Sequence, residues 1–139
     1  MFFQLFLGSL VIACTVAVHA EMLTRLTQLM PSVARAAVRR LGSFAGTGTI
    51  IVGMLYILLA HTIEVWIWAM VLMATGAVEG LESAVYFSLV CFTTLGFGDI
   101  TLDHEWRLLS ALIGANGFLM FGWSTAYMVD LISRVHREI

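Results

Sequence analysis

The chain has 139 residues, 60% of them hydrophobic and 12% charged, with a formal net charge of −2. A mean hydropathy of +0.96 places it among integral membrane proteins and excludes an ordinary soluble domain. A spanning helix takes about 20 residues, so three fit, which leaves no length for a separate catalytic or ligand-binding domain and no basic patch for nucleic acid.

Residues 2–20 are apolar, without Asp, Glu, Lys or Arg. No cationic region precedes them, as a signal peptide requires, so a retained membrane helix is predicted. Residues 21–48 are the one polar stretch. Pro31-Ser32 reads as a helix start, since Pro is tolerated in a first turn. Val33, Ala36, Ala37, Val38 and Leu41 recur near helical spacing, with Arg35, Arg39 and Arg40 among them. Two readings stand: an amphipathic helix on the membrane surface, or a basic cytoplasmic connector. Gly42, Gly46 and Gly48 then form a flexible joint. Residues 1–48 are accordingly set apart from a second unit, 49–139.

That second unit begins with an outer helix over 49–75. An acidic loop follows over 76–83, containing Glu79 and Glu82. Residues 84–92 are too short to span and read as a re-entrant helix. The loop 93–99 comes next, then 100–105 at an outer mouth. A second long apolar helix is predicted over 106–133, ending in a charged tail. The expected fold class is an all-α membrane protein.

The loop reads Thr93-Thr94-Leu95-Gly96-Phe97-Gly98-Asp99. A loop at membrane depth survives only if it is packed in protein or lines a water-filled path. Glycine permits positive φ at little cost, so alternating glycines can turn successive carbonyls toward one axis. The Thr94 hydroxyl adds one more oxygen at the inner end.

This loop resembles the Thr-Thr-Val-Gly-Tyr-Gly-Asp selectivity filter of potassium channels. The resemblance extends over the last two thirds of the chain: outer helix, short pore helix, filter and inner helix. It implies passive K⁺ conduction, in which carbonyl oxygens replace the ion's hydration shell; that mechanism belongs to the family as a whole. The implied ion ligands are Thr94, Leu95, Gly96, Phe97 and Gly98. Thr93, Asp99, Val90, Tyr86 and Phe87 stand where the family supports its filter. Gly117 and Gly122 fall where it places inner-helix glycines, one often a gating hinge, and Asn116 beside them either lines the cavity or bonds a neighbouring helix. One chain offers one such loop, so several copies are needed, and the resemblance implies a four-fold homotetramer. The implied partners are other copies and the lipid bilayer. No cofactor is implied beyond K⁺ as the permeant ion, and nothing suggests an enzyme.

Two filter positions depart from the family pattern: Leu95 replaces Val, and Phe97 replaces Tyr. Some relatives pair the final Asp with a Glu four residues before the position of Thr94, where this chain has Val90. Phe97 and Val90 together predict a filter lacking two hydrogen-bond supports and held mainly by packing, with Leu95 adding bulk behind the ladder. The departures at Leu95 and Phe97 keep open a weakly selective cation channel; a second alternative is a non-conducting subunit or sensor that retains the pore fold, against which the unbroken filter argues.

The arginines give an orientation. Arg25, Arg35, Arg39, Arg40, Arg134 and Arg137 fall on one side of a three-span arrangement, and only Arg107 on the other. Positive charge stays cytoplasmic, so the N-terminus and filter mouth are expected outside and the C-terminus inside. Brevity and short loops suggest a bacterial inner membrane. Glu79, Glu82, Asp99, Asp103 and Glu105 crowd the outer mouth; Asp99 belongs to the matched motif, the other four read either as a solvated polar loop or as charges that concentrate cations, and Arg107 is expected to pair with one of them. Asp130 and Arg134 have the spacing of a helical ion pair. Cys14 and Cys91 read as small buried apolar residues. His61 and Glu64 share one face of the outer helix at a depth where ionisable groups are costly; a structural and a functional role both remain open, and two ligands alone do not make a metal site.

Overall fold

The computed structural model describes residues 1–138. Four helices account for most of them: α1 (Phe2–Leu41), α2 (Ala45–Ala74), α3 (Leu81–Phe92) and α4 (Arg107–Glu138). A 3-10 turn, Gly42–Phe44, joins α1 to α2. Two helical stretches are long and apolar enough to cross a bilayer: 2–74, which folds back on itself at that turn, and 107–137.

The first helix differs from the sequence expectation. Instead of a span ending near residue 20 and a second helix beginning at Pro31, α1 runs unbroken for 40 residues with Pro31 inside it. An interior Pro costs a helical hydrogen bond, about 3 kcal/mol. Packing outweighs that cost, because Leu23, Leu26 and Met30 are buried together with Ile57 of α2 and with Met128 and Leu131 of α4. Likewise Gly46 and Gly48 lie inside α2, and the flexible joint contracts to three residues, with Gly42 at φ 54°. The short helix α3 starts three residues earlier than predicted, at Leu81, with Glu82 in its first turn, where a carboxylate favours the helix dipole.

Contacts along the bundle fix its directions. Gln4 Oε1 accepts from the Leu108 N–H, Thr15 meets Asn116, His19 meets Ser124 and Thr27 meets Tyr127. The numbers rise together, so α1 and α4 run parallel. Tyr56 meets Met22 and Glu64 meets His19, so α2 runs antiparallel to both. The N-terminus therefore lies at the same end as the loop 93–99, where Phe3 stacks edge-on against Trp106 with ring centres 6.2 Å apart. The arginine-rich end of α1 and the C-terminal end of α4 lie at the other.

A second core fills the loop end. Trp68 and Leu72 of α2, Ala84 and Phe92 of α3, and Leu109 and Ile113 of α4 are all fully buried there. In this way α3 is wedged between α2 and α4 and presents the loop that follows it.

Candidate functional site

The loop is held by the end of α3. A helix leaves its last carbonyls without intrahelical partners, and here the loop takes them up. The Val90 carbonyl accepts from the Leu95 and Gly96 N–H groups at 3.1 and 3.3 Å, and the Cys91 carbonyl accepts from Thr94 N–H at 2.9 Å. The Thr93 hydroxyl donates to the Leu89 carbonyl at 2.8 Å. Beyond this anchor the backbone alternates. Thr94, Gly96 and Gly98 have φ of 61°, 57° and 78°, with Leu95 and Phe97 between them at negative φ. Glycine adopts such angles readily. Thr94 does not, and a β-branched residue at positive φ carries strain of about 1–3 kcal/mol; it is the one described non-glycine residue at positive φ.

One side of the loop is braced and the other is open. Residues 94–99 are exposed, Leu95 at 61% and Phe97 at 66%, and a methyl group added at Gly96 or Gly98 would meet nothing within 4 Å. The free side of the ladder thus faces away from its own chain.

Asp99 has a partner that the sequence reading did not assign. The Tyr86 hydroxyl donates to Asp99 Oδ2 at 2.6 Å, which ties the outer end of the loop back to α3. That bond holds the Asp99 carboxyl below its usual range, and the same contact raises the Tyr86 hydroxyl above its own. To the expected bracing, mainly by packing, the structure adds this hydrogen bond. Phe97 contributes no hydroxyl, but Tyr86, thirteen residues before Asp99, supplies one to the same segment. Val90 acts through its carbonyl, with its side chain buried, and Phe87 is buried in the core beside Ala84 and Phe92.

On α4 the three singled-out residues separate. Asn116 does not face a cavity: it is fully buried and its Nδ2 donates to Thr15 Oγ1 on α1 at 2.8 Å. Gly117 lies against the end of α3, where an added methyl would collide with the Phe92 carbonyl. Gly122 is exposed and a methyl there would meet nothing. Asp130 and Arg134 form the expected pair at 2.7 Å. Glu79, Glu82, Asp103 and Glu105 are exposed at the loop end, and among the described residues Arg107 forms no ion pair with them. Cys14 is exposed on α1, not buried, and Cys91 is half-buried.

The second polar feature lies inside the bundle. Glu64 Oε1 is 2.7 Å from His19 Nδ1, and Oε2 is 3.0 Å from His61 Nδ1. On the far side of both imidazoles, Ser124 Oγ is 3.1 Å from His19 Nε2 and 3.0 Å from His61 Nε2. The four side chains close a ring joining α1, α2 and α4, and all four are buried. Sequence spacing pointed to His61 and Glu64. His19 and Ser124 were missed, because their contacts come from helix packing more than forty residues apart; the available signal was an imidazole within an otherwise apolar span. The three ionisable members place ligand atoms within 4.8 Å of one another, so the packing adds the third donor that the outer helix alone lacks for a metal.

A family model described as an ion channel matches residues 47–134. No curated protein matches the chain. No solved structure matches it. The matched region takes in nearly all of α2 and of α4, with α3 and the braced loop between them, which is more than half of the chain, and α1 lies outside it. The chain belongs to the ion channel family built on the two-transmembrane pore module.

Proposed function

We propose that this ion channel is selective for K⁺ and works as a homotetramer, with the loop 93–99 as its filter. The observation that carries the reading is the alternation of positive φ at Thr94, Gly96 and Gly98 in a loop braced on one side and open on the other. Such a backbone can turn consecutive carbonyls toward a shared axis, and uncharged oxygens hold an ion that can still leave. Four copies place their open sides together and cover Leu95 and Phe97. Ions enter at Asp99, pass Gly98, Phe97, Gly96, Leu95 and Thr94 in single file, and reach a cavity beside α4. The C-terminal end of α3 points inward, and its dipole favours a cation there. With arginines kept cytoplasmic, the filter mouth and N-terminus are outside and the C-terminus is inside.

The test is recording from purified protein in planar bilayers under a K⁺/Na⁺ gradient, alongside the mass of the assembly. The expected result is a tetramer whose reversal potential lies near the K⁺ equilibrium value. A reversal potential near zero supports the weakly selective alternative, and silence under every condition supports the non-conducting one. Thr94→Ala is expected to weaken ion binding at the inner site while the assembly stays intact.

A further inference from the structure

The ring of His19, Glu64, His61 and Ser124 has a proton requirement that its geometry sets. Its four hydrogen bonds need one proton each. The Ser124 hydroxyl supplies one, and two neutral imidazoles supply one each. A carboxylate supplies none. Three protons leave one contact with two acceptors facing each other, a buried polar clash. One further proton completes the ring. It sits either on an imidazole, giving imidazolium beside carboxylate, or on Glu64, with the two imidazoles in opposite tautomers. Both arrangements have the same proton count and zero net charge.

We infer that His19, His61, Glu64 and Ser124 form a binding site for a single proton, and that this proton fastens α1 to the pore module. Without it the ring carries a net negative charge in a bundle interior that cannot solvate it. A divalent metal in its place would leave a net positive charge instead, so the charge balance selects the proton. The groups facing the ring add no compensating charge. From α3 comes Phe92, 5.9 Å from the His61 ring; from α4 come Phe121, 4.6 Å from His61, and Trp123, 5.2 Å from His19. The ionisable residues next along the chain, Glu21 on α1 and Cys91 on α3, make no hydrogen bond or ion pair with the ring among the described residues; Glu21 pairs with Arg25.

The direction of the pH effect follows from proton counting. The complete ring holds one proton. Above about pH 6.5 the unfolded chain's two imidazoles and one carboxylate together hold less than one. Stability then falls as pH rises, because the folded ring holds a proton that unfolding releases. Glu64→Gln removes the requirement: its amide donates one proton and accepts another, so two neutral imidazoles, Ser124 and Gln close all four bonds with nothing to titrate.

The test is thermal unfolding of the full-length protein in detergent between about pH 6.5 and about pH 9. For wild type the midpoint is expected to fall by about 5 °C or more across that range, and for Glu64→Gln to show no fall. Glu64→Ala is expected to lie below wild type at pH 6.5, since it orphans both imidazoles. Equal slopes for wild type and Glu64→Gln would overturn the inference. If Glu64→Gln fails to assemble, ¹⁵N NMR of histidine-labelled wild type decides. The site requires that at about pH 6.5 at least one of His19 and His61 carries a proton on Nε2. Two neutral Nδ1–H imidazoles throughout would refute it.

Discussion

The Tyr86 hydroxyl and the Asp99 carboxylate close the loop against α3 with one 2.6 Å bond. Because Asp99 titrates below its usual range and Tyr86 above its own, donor and acceptor keep the needed protonation states across the physiological range. For Asp99, a lowered value means that the contribution is complete above the ordinary carboxylate range and is lost as pH falls through the lowered one. Acid is therefore expected to loosen the loop only below the ordinary carboxylate range, read as faster current decay in bilayers. Tyr86→Phe deletes the donor, and its currents are expected to decay faster than wild type at low external K⁺ at every pH; unchanged decay would remove Tyr86 from the brace. Gly98→Ala separates conduction from folding. The added methyl meets no atom of its own chain, but φ near 78° costs an L-residue about 1–2 kcal/mol. An assembled protein with lost K⁺ selectivity is expected, by size-exclusion chromatography and reversal potential.

Among the elements, α1 and α4 answer opposite questions about helix breakers. Pro31 sits where a backbone donor is missing, so Pro31→Ala is expected to raise the thermal midpoint, by at most about 3 kcal/mol in stability. On α4, Gly117 and Gly122 differ in sign. Gly117→Ala forces the end of α3 away and is expected to destabilise by about 1–3 kcal/mol, whereas Gly122→Ala meets open space and gains helix propensity of up to about 1 kcal/mol. Thermal unfolding of the two variants side by side checks the contrast. The elements also show where sequence reading stops. The loop was legible because its signal is local: two glycines, two threonines and apolar flanks. The outer and inner helices were legible because a long apolar run has few other uses. The continuation of α1 through Pro31 was not, because Leu23, Leu26 and Met30 are held by side chains of α2 and α4 that no window on α1 contains. The Tyr86 brace and the partners of Glu64 were hidden for the same reason. Asn116 allowed two readings, and only the position of Thr15 on a parallel helix decides between them.

For the whole molecule, the parallel course of α1 and α4 puts both chain ends on opposite sides of the bundle. A tag before Phe2 and a tag after the last residue are expected to report opposite membrane faces, with the C-terminal tag cytoplasmic; labelling on the same face would refute the three-span arrangement. The exposed apolar residues of a single chain are its other large-scale property. Phe118 and Leu119 on α4 are 70% and 59% exposed, on the same element that the proposed assembly sets around the cavity.

The seat of Phe92 on Gly117 has a mechanical side. Backbone rests there on backbone, with no flexible side chain between to absorb a displacement. In the proposed assembly this makes α4 a lever and the end of α3 its bearing. A tilt of the lower half of α4 lifts or presses that bearing, and the Val90 carbonyl that anchors Leu95 and Gly96 stands only two residues before it. In that proposed assembly, opening an inner entrance and tensioning a filter are one stroke of the same linkage.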